Sequence, residues 1–326
     1  NFNNATGTKT FTGDVTLNSG TVWNETAAAV MTFAGNFTNN ATTFTASTGL
    51  HTFNAASGGT ISGATATVIP SVTFTTSYTN SGTLTCATVL NVTGGAVVLT
   101  NNGTITATTA LSSSGGVTNG ATGVLNIGGT STITTLTATT AGNTVNYTGA
   151  VQTVHNNNYY YLTLSGSGAK TLQIGTTTIS GDLTMSGTAT TTTVVGLTIG
   201  GNLIVGNGTT FTAAGFALTV NGTTTIGNGT SGILTVSNAT GTKAFTDVVI
   251  NSGGTFNGNA IATININGSL TMNGGTLTGT ATGVFTVSGN YNIATGTNTL
   301  GRATITITGT TTVTGTINFN NATGKL

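Results

Sequence analysis

The run LTIGGNLIV at Leu197–Val205 is followed 21 residues later by LTVNGTTTI at Leu218–Ile226. Both share one outline: apolar and polar positions alternating on either side of a central glycine. The outline returns as TTISGDLTM, ININGSLTM, FTVSGNYNI and ITITGTTTV, so the central glycines are Gly181, Gly201, Gly222, Gly268, Gly289 and Gly309. Successive differences are 20, 21, 46, 21 and 20. The 46 is two periods, because KAFTDVVI at Lys243–Ile250 supplies the missing unit with Thr246 in place of glycine. TFTGDVTL and MTFAGNFT repeat the outline around Gly13 and Gly35, 22 apart. Between about residue 50 and residue 150 the match loosens, although VLNIGGTSTI and VNYTGAVQTV keep the style.

Alternating side chains on a strand put positions two apart on one face. The face before the glycine reads Ile179, Ile199, Val220, Ile266, Val287, Ile307, and the face after it includes Leu183, Leu203, Leu270, Tyr291 and Val313. The glycine shares their parity and marks a corner where an inward side chain would collide. The position after it is Asp14, Asn36, Asp182, Asn202, Asp247 or Asn290, otherwise Thr or Ser. Such short polar groups bond to nearby backbone or stack into a ladder. The period predicts an all-β fold: one continuous parallel β-solenoid (β-helix) over residues 1–326, right-handed, with coils of about 20–24 residues. Roughly fifteen coils stacked about 4.8 Å apart give a rod on the order of 70 Å. No significant helix is expected; ETAAAVM at Glu25–Met31 is too short to stand alone.

Parallel stacking sets each residue over its counterpart, where a column of like charges would repel itself. The composition agrees, with only 3% charged residues, 50 glycines, one proline and much Thr and Asn. Five basic residues exclude a phosphate-binding surface, so no nucleic-acid partner is expected. The lone Cys86 cannot form an intrachain disulfide, and no apolar run reaches transmembrane length. Scarcity of Lys and Glu fits an extracellular or cell-surface material.

NFNNATG opens the chain at Asn1–Gly7 and returns at Asn318–Gly324. NATGTKTFTGDVTLNSG at Asn4–Gly20 is echoed by NATGTKAFTDVVINSG at Asn238–Gly253. Neither end reads as an atypical cap. Both are expected to be cut through one continuing repetitive structure, with Asn1, Phe2, Asn3, Asn4 and Phe319, Asn320, Asn321, Leu326 as stacking ends for further chain or another copy.

At NTVNYTGAVQTVHNNNYYYLTLSGSGAKTLQIGTTTISGDLTMSG, residues Asn143–Gly187, the chain resembles bacterial β-strand-repeat surface proteins. The resemblance covers about 45 residues in its specific form and the whole chain in style. It implies a secreted, adhesive or structural role and carries no catalytic residues.

The candidates for chemistry are few. The acids are Asp14, Glu25, Asp182 and Asp247. Asp182 and Asp247 fall three coils apart, roughly 14 Å, beyond the spacing of a glycosidase pair. Lys9, Lys170 and Lys243 each lie in a segment with an Asp, which predicts pairing at corners. One Asp per coil, needed by calcium-binding nonapeptide repeats, is absent. His51 and His155 have no Cys or acid beside them in sequence, so neither metal ligation nor a triad is expected. No P-loop lysine follows the glycines. In HNNNYYYLTL at His155–Leu164, alternation turns Tyr160, Leu162 and Leu164 inward and leaves Tyr159 and Tyr161 as an aromatic contact surface for glycans or another fibre. Threonine triplets at Thr176–Thr178, Thr223–Thr225 and Thr310–Thr312 skip the coils at Gly201, Gly268 and Gly289, which argues against a regular ice-binding array. The expectation is therefore a non-enzymatic structural protein of an extracellular filament or stalk, without cofactor, partnering itself head to tail. The rival expectation is a cell-surface adhesin presenting a carbohydrate-binding face.

Overall fold

The computed structural model describes residues 1–237, 241–258, 261–279, 283–300 and 304–319. Among them there is no helix; the strands pair in parallel and wind into a β-solenoid of about 14 turns. The chain divides into two compact units, Asn1–Gly149 and Ala150–Leu326.

A coil of the second unit is three short strands. Leu183–Met185, Thr188–Thr192 and Leu197–Ile199 form one, and Leu203–Val205, Thr210–Ala213 and the start of Leu218–Ile226 form the next. Leu183 lies beside Leu203, Thr190 beside Thr210 and Leu197 beside Leu218, so like stacks on like. The column read from the sequence is buried: Ile199, Val220, Phe245, Ile266 and Val287 follow one another in register. Each such side chain contributes roughly 1.5–3 kcal/mol of hydrophobic stabilisation. Threonine fills outward positions, where a β-branched polar residue suits a half-buried pleated surface.

The corners explain the glycines differently from the sequence reading. The tight approach runs along the stacking direction, not into the core. Gly201 N–H donates to Gly181 O and Gly222 N–H to Gly201 O, both at 2.9 Å. A Cβ on Gly222 would sit 2.6 Å from the carbonyl carbon of Gly201 and from Asn202 Oδ1. A side chain on Gly222 would collide with the corner of the coil before it. The following residue completes the junction as expected. Asp182 Oδ1 accepts from Asn202 N–H (2.7 Å) and Asn202 Oδ1 from Thr223 N–H (2.8 Å). Asp247 Oδ1 likewise accepts from Ser269 N–H (2.7 Å), Ser269 Oγ from Asn290 N–H (3.2 Å) and Asn290 Oδ1 from Thr310 N–H (3.1 Å).

The first unit keeps the winding with a different filling. Phe11, Phe33, Phe53 and Phe74 stand in register with stacked rings at 5.3, 5.0 and 5.3 Å. Further along, Asn80, Asn101 and Asn119 form a wholly buried ladder. Asn80 Nδ2 donates to Asn101 Oδ1 and Asn101 Nδ2 to Asn119 Oδ1, each at 2.8 Å. Register shifts fall between Cys86 and Val89 and between Ser113 and Gly116, in the stretch where the period is hardest to read.

Candidate functional site

The aromatic surface expected at residues 159–161 is rearranged. Tyr159 is fully buried, its hydroxyl donating to His155 O at 2.7 Å and its backbone bridging to Ile179. The strand begins only at Tyr161, after a bend at Tyr160, so alternation cannot be extrapolated back to Tyr159. Tyr160, expected inside, is half-buried and lies edge-on to Tyr161 with ring centroids 4.6 Å apart. The surface pair is therefore Tyr160 and Tyr161. A hydrogen bond donated by the Tyr161 hydroxyl to Tyr160 raises the Tyr161 phenol above its usual range. Gly181 leaves room for the Tyr161 ring, which a Cβ there would approach to 2.5 Å.

The expected Asp–Lys pairs do not form. Every Asp faces a backbone N–H of the adjacent coil: Asp14 accepts from Asn36, Asp182 from Asn202 and Asp247 from Ser269. The backbone N–H of Asn36 holds the Asp14 carboxyl below its ordinary range. Lys9 Nζ donates to Thr6 O at 2.7 Å and Gly7 O at 3.2 Å. Lys170 and Lys243 are buried instead. Lys170 Nζ donates to Ala150 O, Gln152 Oε1 and Ser167 O; Lys243 Nζ donates to Phe216 O and Gly241 O. Burial lowers the pKa of both ammonium groups. Their role is to satisfy carbonyls at the corners, a use of lysine that charge pairing does not predict.

The cluster that sequence reading missed is in the first unit. His51, expected to lack an acid neighbour, places Nε2 at 3.0 and 3.2 Å from the two carboxylate oxygens of Glu25. Trp23 Nε1 donates to Glu25 Oε1 (2.6 Å) and Ser47 N to Oε2 (2.8 Å). His51 is wholly buried and Glu25 nearly so. Burial pushes the Glu25 carboxyl up, but the hydrogen bonds from His51, Ser47 and Trp23 outweigh it and leave the pKa lowered. The separation of 26 residues is longer than a coil, so no column of the repeat announces the pair.

The stacking residues at the start are placed as follows. Asn1, Asn3 and Asn4 are exposed; Phe2 bridges Glu25 and packs its ring 4.7 Å from Trp23. Phe319 ends the strand Thr316–Phe319 beside Leu300, while Asn320, Asn321 and Leu326 lie outside the described residues. Among the described residues no group of three or more His, Cys, Asp or Glu is placed to hold a metal, and no helix is long and apolar enough to cross a membrane. Cys86 is buried, which pushes its thiol far up. An open groove of about 380 Å³ in the first unit is lined by Asn36, Thr60, Ser77, Tyr78 and neighbouring glycines, hydroxyls and Val98, with no charged group. Comparison of the chain with protein-family models, curated proteins and solved structures found no match.

Proposed function

We propose that this chain is a structural protein, a secreted β-solenoid that forms or belongs to an extracellular filament or cell-surface stalk. The observation that carries the reading is the backbone ladder that joins each coil to the next in parallel register. In the second unit the Asp/Asn/Ser acceptors reinforce it over two runs, Asp182 to Thr223 and Asp247 to Thr310, so another copy can be bound by the same kind of interaction. An open parallel edge offers unpaired N–H and C=O groups for that purpose. The near absence of charge supports this, since neither long-range repulsion nor steering opposes stacking. The resemblance of Asn143–Gly187 to bacterial surface repeats supports the location.

Electron microscopy of the purified chain across a concentration series tests this reading. Fibres of uniform width that lengthen with concentration are expected; particles of constant length at every concentration would refute head-to-tail stacking. A second reading, an adhesin, is favoured by one observation, the edge-on Tyr160–Tyr161 pair at the surface. Under it, glycan binding is lost on Tyr161→Ala while particle length is unchanged.

A further inference from the structure

The strands Val22–Asn24 and Thr43–Thr45 pair with each other as a two-stranded sheet of their own, separate from the rest of the ladder. One side faces solvent, with Val22 63% exposed. The other covers an aromatic cluster: the Trp23 ring lies 4.7 Å from Phe2, 5.7 Å from Phe11, 6.4 Å from Phe33 and Phe37, and 6.1 Å from Phe44. Glu25, directly after the first strand of this pair, reaches across to His51 on the strand Leu50–Phe53.

Partners decide where the protons are. His51 Nδ1 lies 2.8 Å from Gly49 O, which only accepts, so Nδ1 carries hydrogen. Nε2 faces both carboxylate oxygens of Glu25, and one hydrogen is shared between them, so the pair as a whole carries no net charge. The other polar neighbours of the Glu25 carboxylate, Trp23 Nε1 and Ser47 N, are donors. A further proton added to Glu25 finds no acceptor in the site and leaves an uncompensated positive charge buried.

We propose that Glu25 and His51 form an acid-sensitive clasp that holds the two-stranded flap down, and that protonation of Glu25 releases the flap and uncovers the aromatic cluster. This stands independently of the filament reading. Among the described residues no other charged group answers to the site. Lys9 shares the His51 column but is separated from it by Met31 and bonds to Thr6 O and Gly7 O. On the following coil His51 is covered by Val72. The Asp14 carboxylate is engaged with Asn36, and the amine of Asn1 precedes Phe2, whose backbone bridges Glu25. The sign follows from a carboxyl held lower in the fold than in the unfolded chain. Its stabilisation is present above the ordinary glutamate range and is lost as pH falls through the lowered folded value.

Trp23 is the chain's single tryptophan and reports on the clasp directly. Its fluorescence is followed against pH on the full chain, with far-UV circular dichroism recorded in parallel. The expected result is a reversible red shift of emission as pH falls below the ordinary glutamate range while the β signal persists. Glu25→Gln abolishes that transition. His51→Gln keeps a neutral donor but removes the basic imidazole, and moves the midpoint up by ~1–2 pH units. Emission that stays constant until the β signal itself collapses overturns the proposal, as does the same transition persisting in Glu25→Gln. The wild-type titration is decisive even if a variant fails to fold.

Discussion

The two units solve one packing problem in two ways. In the first, the interior is wide enough for stacked Phe rings, a Trp, an asparagine ladder and a buried ion pair. In the second it is mostly a column of Ile, Val and Leu, closed at the corners by stacked glycines and by two buried lysines that cap carbonyls. The difference teaches that the solenoid constrains the backbone junction more than the filling. The buried ladder and the buried lysines find their partners in their own coil or a neighbouring one.

The largest effect that sharpens this contrast is expected in the ring stack. Phe53→Ala removes contacts to Phe33, Phe74 and Tyr78 and is expected to cost about 3–5 kcal/mol. Hydrogen exchange is expected to show lost protection in the first unit; equal loss in both units would break the distinction. Next comes the polar interior. Asn101→Ala orphans Asn119 Oδ1, at about 1–3 kcal/mol, and leaves Asn80 Nδ2 with only Gly82 O and Thr104 O as acceptors. Lys243→Met frees two carbonyls but also removes a buried charge, so its cost in denaturant melts is expected to be the smaller of the two. The reverse order would mean that the lysine, not the ladder, is the tighter device. Gly222→Ala is expected to cost about 1–3 kcal/mol, because the added methyl meets the Gly201 corner. The smallest effect is at the acceptor ladder. Asp182→Ala removes one bond to Asn202 N–H at a partly exposed corner and is expected to lower stability by about 1 kcal/mol, with Asp182→Asn near neutral.

How much was legible follows the same division. In the second unit the glycine corners recur every 20 or 21 residues except across Thr246, so parity assigns Ile179, Ile199, Val220 and Ile266 to the interior and the Asp/Asn position to the junction, as found. The exception is Tyr159, where a bend at Tyr160 resets the parity that the triple tyrosine hides. In the first unit the outline keeps its glycine at Gly13 and Gly35, but between about residue 50 and residue 150 no fixed corner residue marks the period. Glu25 and His51 were invisible for a different reason. Glu25 is buried, as Trp23 is, and its side chain reaches His51 on the strand Leu50–Phe53, a contact that no repeat position encodes. The lysines were misassigned because charge suggests pairing with acid, whereas at a buried corner unpaired carbonyls are the nearer demand.

Parallel, in-register stacking one coil apart is what the whole account depends on, and cysteine pairing measures it directly. In a Cys86→Ala background, outward-facing Thr163 stands beside Thr184, and Thr184 beside Ile204. Neighbouring strands put Cα atoms about 4.8 Å apart, within disulfide reach, and two coils put them about 9.6 Å apart, beyond it. The account predicts rapid oxidation of the Thr163→Cys/Thr184→Cys and Thr184→Cys/Ile204→Cys pairs and none within the Thr163→Cys/Ile204→Cys pair. Crosslinking of the distant pair with failure of the two near ones would contradict it.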